Sequence, residues 1–279
     1  DKKHTPEAIP SILSEALDVS FDRHIGHDYL NQAGERFEYY HRTEARLKFD
    51  LSYFNRITKG GLPPKTLNIA LAGTGVGKSL FMCHVASSVI SEGKNVLYIT
   101  LEMAEERIAE RIDANLLDVT IDDLYEMPKE IYDNKTSKMQ NKTNGQLIIK
   151  EYPTASAHAG HFKSLLDELA LKKAFKPDLI FIDYLNICTS SRFKGGNINS
   201  YTMVKSIAEE LRGLAVQYNV PIVSATQTTR TGYLSSDVGL EDTSESFGLP
   251  ATADFMFALI SNDELEELGQ IKVKQLKNR

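Results

Sequence analysis

The residues Ala72-Gly73-Thr74-Gly75-Val76-Gly77-Lys78-Ser79 carry the strongest chemical signal in the chain. Glycines at this spacing let successive backbone N–H groups wrap phosphate oxygens without a Cβ in the way. A helix opening at Lys78 would add the partial positive charge of its N-terminus. The Lys78 ammonium can reach β- and γ-phosphates, and the Ser79 hydroxyl can ligate Mg²⁺. The run fits G-x-x-x-x-G-K-[ST] except that Ala72 stands at the first glycine, a substitution small enough to keep the turn. It does not fit a dinucleotide-type G-x-G-x-x-G, because Lys78 takes the last glycine position.

Phosphate-ester hydrolysis needs acids as well, one to hold Mg²⁺ and one to polarise water. Asp183 ends the apolar run DLIFID, where a metal-holding aspartate belongs. Glu102 follows the run NVLYIT, at a strand end where parallel sheets gather ligands. Spacing alone leaves Glu102 open between a general base and an acid at the start of the next helix. Gln227 follows PIVSAT, and an amide there can sense a γ-phosphate. Arg230 lies three residues on.

These residues require an alternating scaffold. Strands are expected over 66–72, 95–100, 146–151, 178–183, 221–226, 254–261 and 269–277. Helices are expected over 78–91, 104–115, 161–173 and 201–218. The order implies an α/β fold with a mostly parallel sheet covered by helices on both faces. The stretch 120–145 is polar and reads as partly mobile. Residues 21–65 read as one or two helices leading into the core, broken by Gly60-Gly61-Leu62-Pro63-Pro64. Residues 1–20 hold a short helix signal, with Thr5 as cap and Pro6 at the first position. Its apolar stripe is Ile9, Ile12, Leu13, Ala16 and Leu17, on a helix too short to stand alone.

The 279 residues carry 42% hydrophobic and 25% charged side chains, which excludes disorder as the main state. A net charge of −6 argues against a uniformly basic nucleic-acid coat, so a polyanion site must be a local patch or shared among copies. Cys83 and Cys188 sit in apolar segments and suit a reducing compartment. Nothing approaches the ~20 apolar residues of a membrane span. A start at Asp1 without Met, and an end at Asn278-Arg279, read as part of something longer. His158, His161, Asp122 and Asp123 read as solvated surface, and Cys83 as core.

Taken together the motifs resemble a family. AGTGVGKS (72–79), ITLEMAEERIAERIDANLLDV (99–119), LIFIDYLNIC (179–188), NSYTMVKSIAEELRGLAV (199–216), VPIVSATQTTR (220–230) and KQLKNR (274–279) are similar to the RecA-like P-loop ATPase core of DnaB-type hexameric replicative helicases. The likeness is strongest to those of T-even-like phages. The resemblance covers 66–279 and implies a motor domain there. It implies ATP and Mg²⁺ as cofactors, Glu102 as general base, Asp183 holding the metal, and Gln227 linking the γ-phosphate to DNA-binding loops. Lys277 and Arg279 match a basic pair projected into a neighbour's site. The loops after Ser190 and Thr229 match the single-stranded-DNA loops, with Arg192, Lys194 and Arg230 as phosphate contacts. The segment 1–20 would be a linker helix packing on an adjacent subunit, the N-terminal domain being absent. The implied partners are single-stranded DNA, five further copies, a primase and a helicase loader, in the cytoplasm of a host bacterium. A filament-forming recombinase of the same core, and a non-catalytic nucleotide-binding module, remain open as alternatives.

Overall fold

The runs LNIALA, VLYIT, LIFID and FMFALI are buried at every position, as strands covered on both faces must be. A computed structural model describes residues 26–279 except 43, 49, 194–197, 230–237 and 244–247. The expected linker helix (1–20), Lys194 and Arg230 lie outside the described residues.

The strands are β1 (Leu67–Ala72), β2 (Val96–Thr100), β3 (Leu147–Glu151), β4 (Leu179–Asp183), β5 (Ile222–Gln227), β6 (Phe255–Ile260) and β7 (Lys272–Asn278). They form one sheet in the order β3-β2-β4-β5-β1-β6-β7. All pairings are parallel except β6–β7, which is antiparallel. Crossovers bring the C-terminal ends of β2, β4, β5 and β1 side by side: Ala72 pairs with Gln227, and Thr100 with Asp183.

The helices, in chain order, are α1 (Ala33–His41), α2 (Ser52–Ile57), α3 (Lys78–Ser91), α4 (Glu105–Leu117), α5 (Ile121–Glu126), α6 (Lys129–Lys142), α7 (Ala159–Lys173), α8 (Ser200–Tyr218), α9 (Gly248–Thr252) and α10 (Asp263–Glu267). One sheet face packs against α2, α3 and α4 through Phe54, Met82, Val85, Ala86, Ile108 and Ile112. The other packs against α7 and α8 through Phe162, Leu166, Ile207, Leu211 and Leu214. Two compact units divide at residues 44/45. The sheet unit therefore begins before the Thr66 boundary read from the sequence, because Phe54 of α2 is core. In the first unit α1 carries exposed Phe37, Tyr39 and Tyr40.

One sequence expectation changes here. The polar stretch 120–145 is helical. Thr120 and Asp123 cap α5 reciprocally, with the Asp123 amide donating to the Thr120 hydroxyl at 3.1 Å. The α6 helix is tied back to α4 by Tyr132, whose hydroxyl donates to Asp113 at 2.8 Å, and by Lys135, which donates to the Leu117 carbonyl at 3.1 Å. His158 and His161 lie outside the core, as expected, and have a structural use there. The His158 ring accepts from the Gly160 amide at 3.0 Å, and His161 accepts from the His158 amide, so the pair caps α7.

Candidate nucleotide and nucleic-acid site

The glycine-rich loop leaves β1 and enters α3. Gly75 and Gly77 take φ of +81° and +107°, a region that side chains rarely tolerate. Gly77 is also the N-cap, so the orphan amides of the first α3 turn face the loop. The Lys78 ammonium folds back across it and donates to the Gly73 carbonyl at 2.9 Å. Burial lowers its pKa, opposed by the charges of Glu102 and Asp183. Those couplings gather Lys78, Glu102 and Asp183 into one electrostatic neighbourhood.

Asp183 is fully buried at the end of β4. Burial pushes its carboxyl up, while the nearby Ser79 and Tyr98 hydroxyls and Lys78 favour the charged form. One carboxylate oxygen accepts from the Tyr98 hydroxyl at 2.9 Å, while the other, Oδ1, is buried without a hydrogen-bond partner. Glu102, beyond β2, is exposed at the rim. Partial desolvation first, and then the Asp183 charge, raise its pKa, against Lys78 and Arg111. Gln227 ends β5, and its amide donates to the Tyr184 hydroxyl at 3.1 Å. Gly73, Thr74, Gly75, Val76, Gly77, Lys78, Ser79, Glu102, Asp183 and Gln227 thus share one sheet edge. Amides, an ammonium, a hydroxyl and a half-satisfied carboxylate at one edge suit a polyphosphate with a divalent cation.

Lys277 and Arg279 lie elsewhere. Because β7 runs antiparallel, Asn278 pairs with Phe255 while Lys272 pairs with Ile260. The basic pair is therefore at the opposite sheet edge from the loop, roughly 15–20 Å away along the strands. Lys277 donates to the carbonyls of Pro250 and Ala253 at 2.6 and 2.7 Å, and Arg279 lies 3.6 Å from Asp254. Arg192 is held by acids of α8: it pairs with Glu209, and its Nε is 4.0 Å from Glu210. Glu210 also accepts from the Ser191 amide and the Ser190 hydroxyl, tying the start of that loop to α8.

The motif reading did not reach Tyr98, Tyr184 or Arg111. Tyr98 is the one aromatic, and a hydroxyl-bearing one, in an apolar strand that ends on Thr100, which was the available signal. Arg111 follows Glu102 on α4 and acts on the same acids, but a charged helix face hides such a residue in sequence.

The description "DnaB-like helicase C terminal domain" matches residues 47–276. The chain belongs to this family. It is 48% identical over 275 residues to the DnaB-like replicative helicase of Enterobacteria phage T4, covering 98% of this chain and 58% of that protein. It thus spans a little over half the length of that relative. A probable plasmid replicative DNA helicase of Chlamydia psittaci is 27% identical over 166 residues. Among solved structures, a DnaB-like replicative helicase studied with its primase interactions superposes with a TM-score of 0.75 at 18% identity, covering 97% of this chain and 66% of that one. A second solved structure, an isolated ATPase domain, superposes with a TM-score of 0.70 at 17% identity, covering all of this chain and 92% of that domain. The RecA-like fold of the DnaB-like family is therefore this chain's fold. Among the described residues, no helix is long and apolar enough to cross a membrane.

Proposed function

We propose that this chain is the ATP-hydrolysing motor of a replicative DNA helicase, acting as a hexameric ring that moves on single-stranded DNA and unwinds the duplex at the fork. The observation that carries this reading is the split of the chemistry along the sheet. The phosphate loop, Glu102, Asp183 and Gln227 share one edge, and Lys277 and Arg279 occupy the other. A basic residue that must touch a γ-phosphate cannot come from the same copy, so a complete site needs two.

In this reading the loop amides and Lys78 bind and orient the phosphates. Ser79 and Asp183 hold Mg²⁺, which neutralises phosphate charge. Glu102 accepts a proton from the attacking water; partial desolvation suits a base working near neutrality. Gln227 carries the phosphate state to the loop beyond β5, which it opens, and through its contact with Tyr184 to the loop beyond β4. Arg279, with Lys277, would stabilise transition-state charge in the neighbour's site. Arg192, Lys194 and Arg230 meet DNA phosphates in the channel, where a few cations per copy add up around a ring despite a net charge of −6. Residues 1–20 would clasp the adjacent motor. A primase and a loader are the expected partners, in the cytoplasm of a phage-infected bacterium.

The test is ATPase activity with and without single-stranded DNA, measured beside native mass and unwinding of a forked duplex. DNA-stimulated turnover in closed hexamers that unwind forks is the expected result. Filaments on DNA would favour a recombinase-like assembly, and hexamers with neither activity would refute the motor.

A further inference from the structure

Tyr98 is fully buried in β2. The β2–β4 register pairs Tyr98 with Phe181 and Thr100 with Asp183. Tyr98 and Asp183 are therefore diagonal neighbours on one sheet face. The Tyr98 ring stacks on Phe181 with centroids 5.4 Å apart and 27° between planes. This fixes the direction of its hydroxyl, which donates to Asp183 Oδ2 at 2.9 Å.

Asp183 is fully buried, and its Oδ1 has no hydrogen-bond partner. The Ser79 hydroxyl lies near enough to favour the carboxylate but does not satisfy that oxygen. A buried carboxylate oxygen is costly to leave unpaired, so the orphan calls for a ligand. We propose that Tyr98 is a positioning residue for the metal: by engaging Oδ2 it turns Oδ1 toward the cation or a water of its shell. The proposal rests on the reading that Asp183 and Ser79 hold Mg²⁺. A phenylalanine would keep the ring, the stacking and the volume while removing only the donor. The two contributions of Tyr98, packing and orientation, are thereby separable.

The experiment uses the full chain, Mn²⁺ as a spectroscopic probe and ADP as the nucleotide. Mn²⁺ affinity is read by electron paramagnetic resonance for the unaltered protein, Tyr98→Phe and Asp183→Asn. ADP affinity is read separately in chelator. Outer-shell partners typically contribute 10–100-fold to metal affinity, so Tyr98→Phe should weaken Mn²⁺ binding about tenfold. Its ADP affinity without metal should match that of the unaltered protein. Unchanged Mn²⁺ affinity in Tyr98→Phe, with loss in Asp183→Asn, would overturn the role of Tyr98 and leave the metal reading standing. Unchanged affinity in Asp183→Asn would overturn both. Equal losses of Mn²⁺ and metal-free ADP binding in Tyr98→Phe would mean general disruption and also overturn the role.

Discussion

Replacing Asp254 by alanine should weaken the fold by about 2–4 kcal/mol, the sum of an orphaned amide and a lost ion pair. Asp254 precedes β6 at the edge opposite the phosphate loop, and its side chain is only 9% exposed. Its Oδ2 accepts from the Leu67 amide at 3.1 Å and from Arg212 Nε at 3.0 Å, and its Oδ1 from Arg212 Nη2 at 3.1 Å. Removing the carboxylate orphans the buried Leu67 amide, which costs ~1–3 kcal/mol. The ion pair with Arg212 adds less than a buried one would, because the Arg212 side chain is 38% exposed, and the longer pair with Arg279, 59% exposed, adds little more; ~1 kcal/mol is the appropriate scale for both together. For a chain of this size that corresponds to a melting point lower by very roughly 5–15 °C. Asp254→Asn keeps an acceptor for the amide and should lose about half as much. Urea unfolding followed by circular dichroism ranks the three proteins. A loss under about 0.5 kcal/mol for alanine, or an asparagine variant as weak as alanine, would refute the assignment of the cost to the orphaned amide.

Glu102→Gln should keep ATP binding and lose ~10²–10⁴ in turnover, the usual worth of a positioned base; wild-type turnover would remove Glu102 from that role. The base works only when ionised, and desolvation and Asp183 raise its pKa. Turnover should therefore fall with decreasing pH through a value above the ordinary glutamate range, and an acid limb at or below that range would contradict it. Arg192→Ala should lower the salt slope of single-stranded-DNA binding by about 0.7 if the arginine leaves its acidic partners for a phosphate; an unchanged slope means that it stays with Glu209 and Glu210. Arg279→Ala mixed with unaltered protein should inactivate neighbouring sites, so activity should depart from strict proportionality to the mixing ratio; a straight line argues for action within one copy.

The sequence exposed those parts of the site whose chemistry is local. Glycine spacing gives away the phosphate loop because backbone approach to phosphate is a property of consecutive residues. Asp183 was legible because a carboxylate closing an apolar strand has few other reasons to be there. What depended on pairing was hidden. Lys277 and Arg279 are singled out by resemblance alone, and their place at the far edge needs the antiparallel β6–β7 register. Tyr98 meets Asp183 only through the β2–β4 register. The acids that hold Arg192 come from α8, on the far side of residues 194–197. The helices within 120–145 were masked by polarity, although Thr120-x-x-Asp123 is a capping pattern.

The sheet's polarity has a consequence for assembly. On the proposed reading, each copy offers its basic pair to one neighbour and its glycine-rich loop to another, so the contact joins unlike surfaces. Such a contact propagates, and rotation per step decides between ring and helix. On the proposed reading, working sites are counted by junctions rather than by chains. An open arc has one junction fewer than it has copies, and closing it completes the last site. Dilution would then erase activity without unfolding a single subunit, and catalysis would itself report whether the ring is shut.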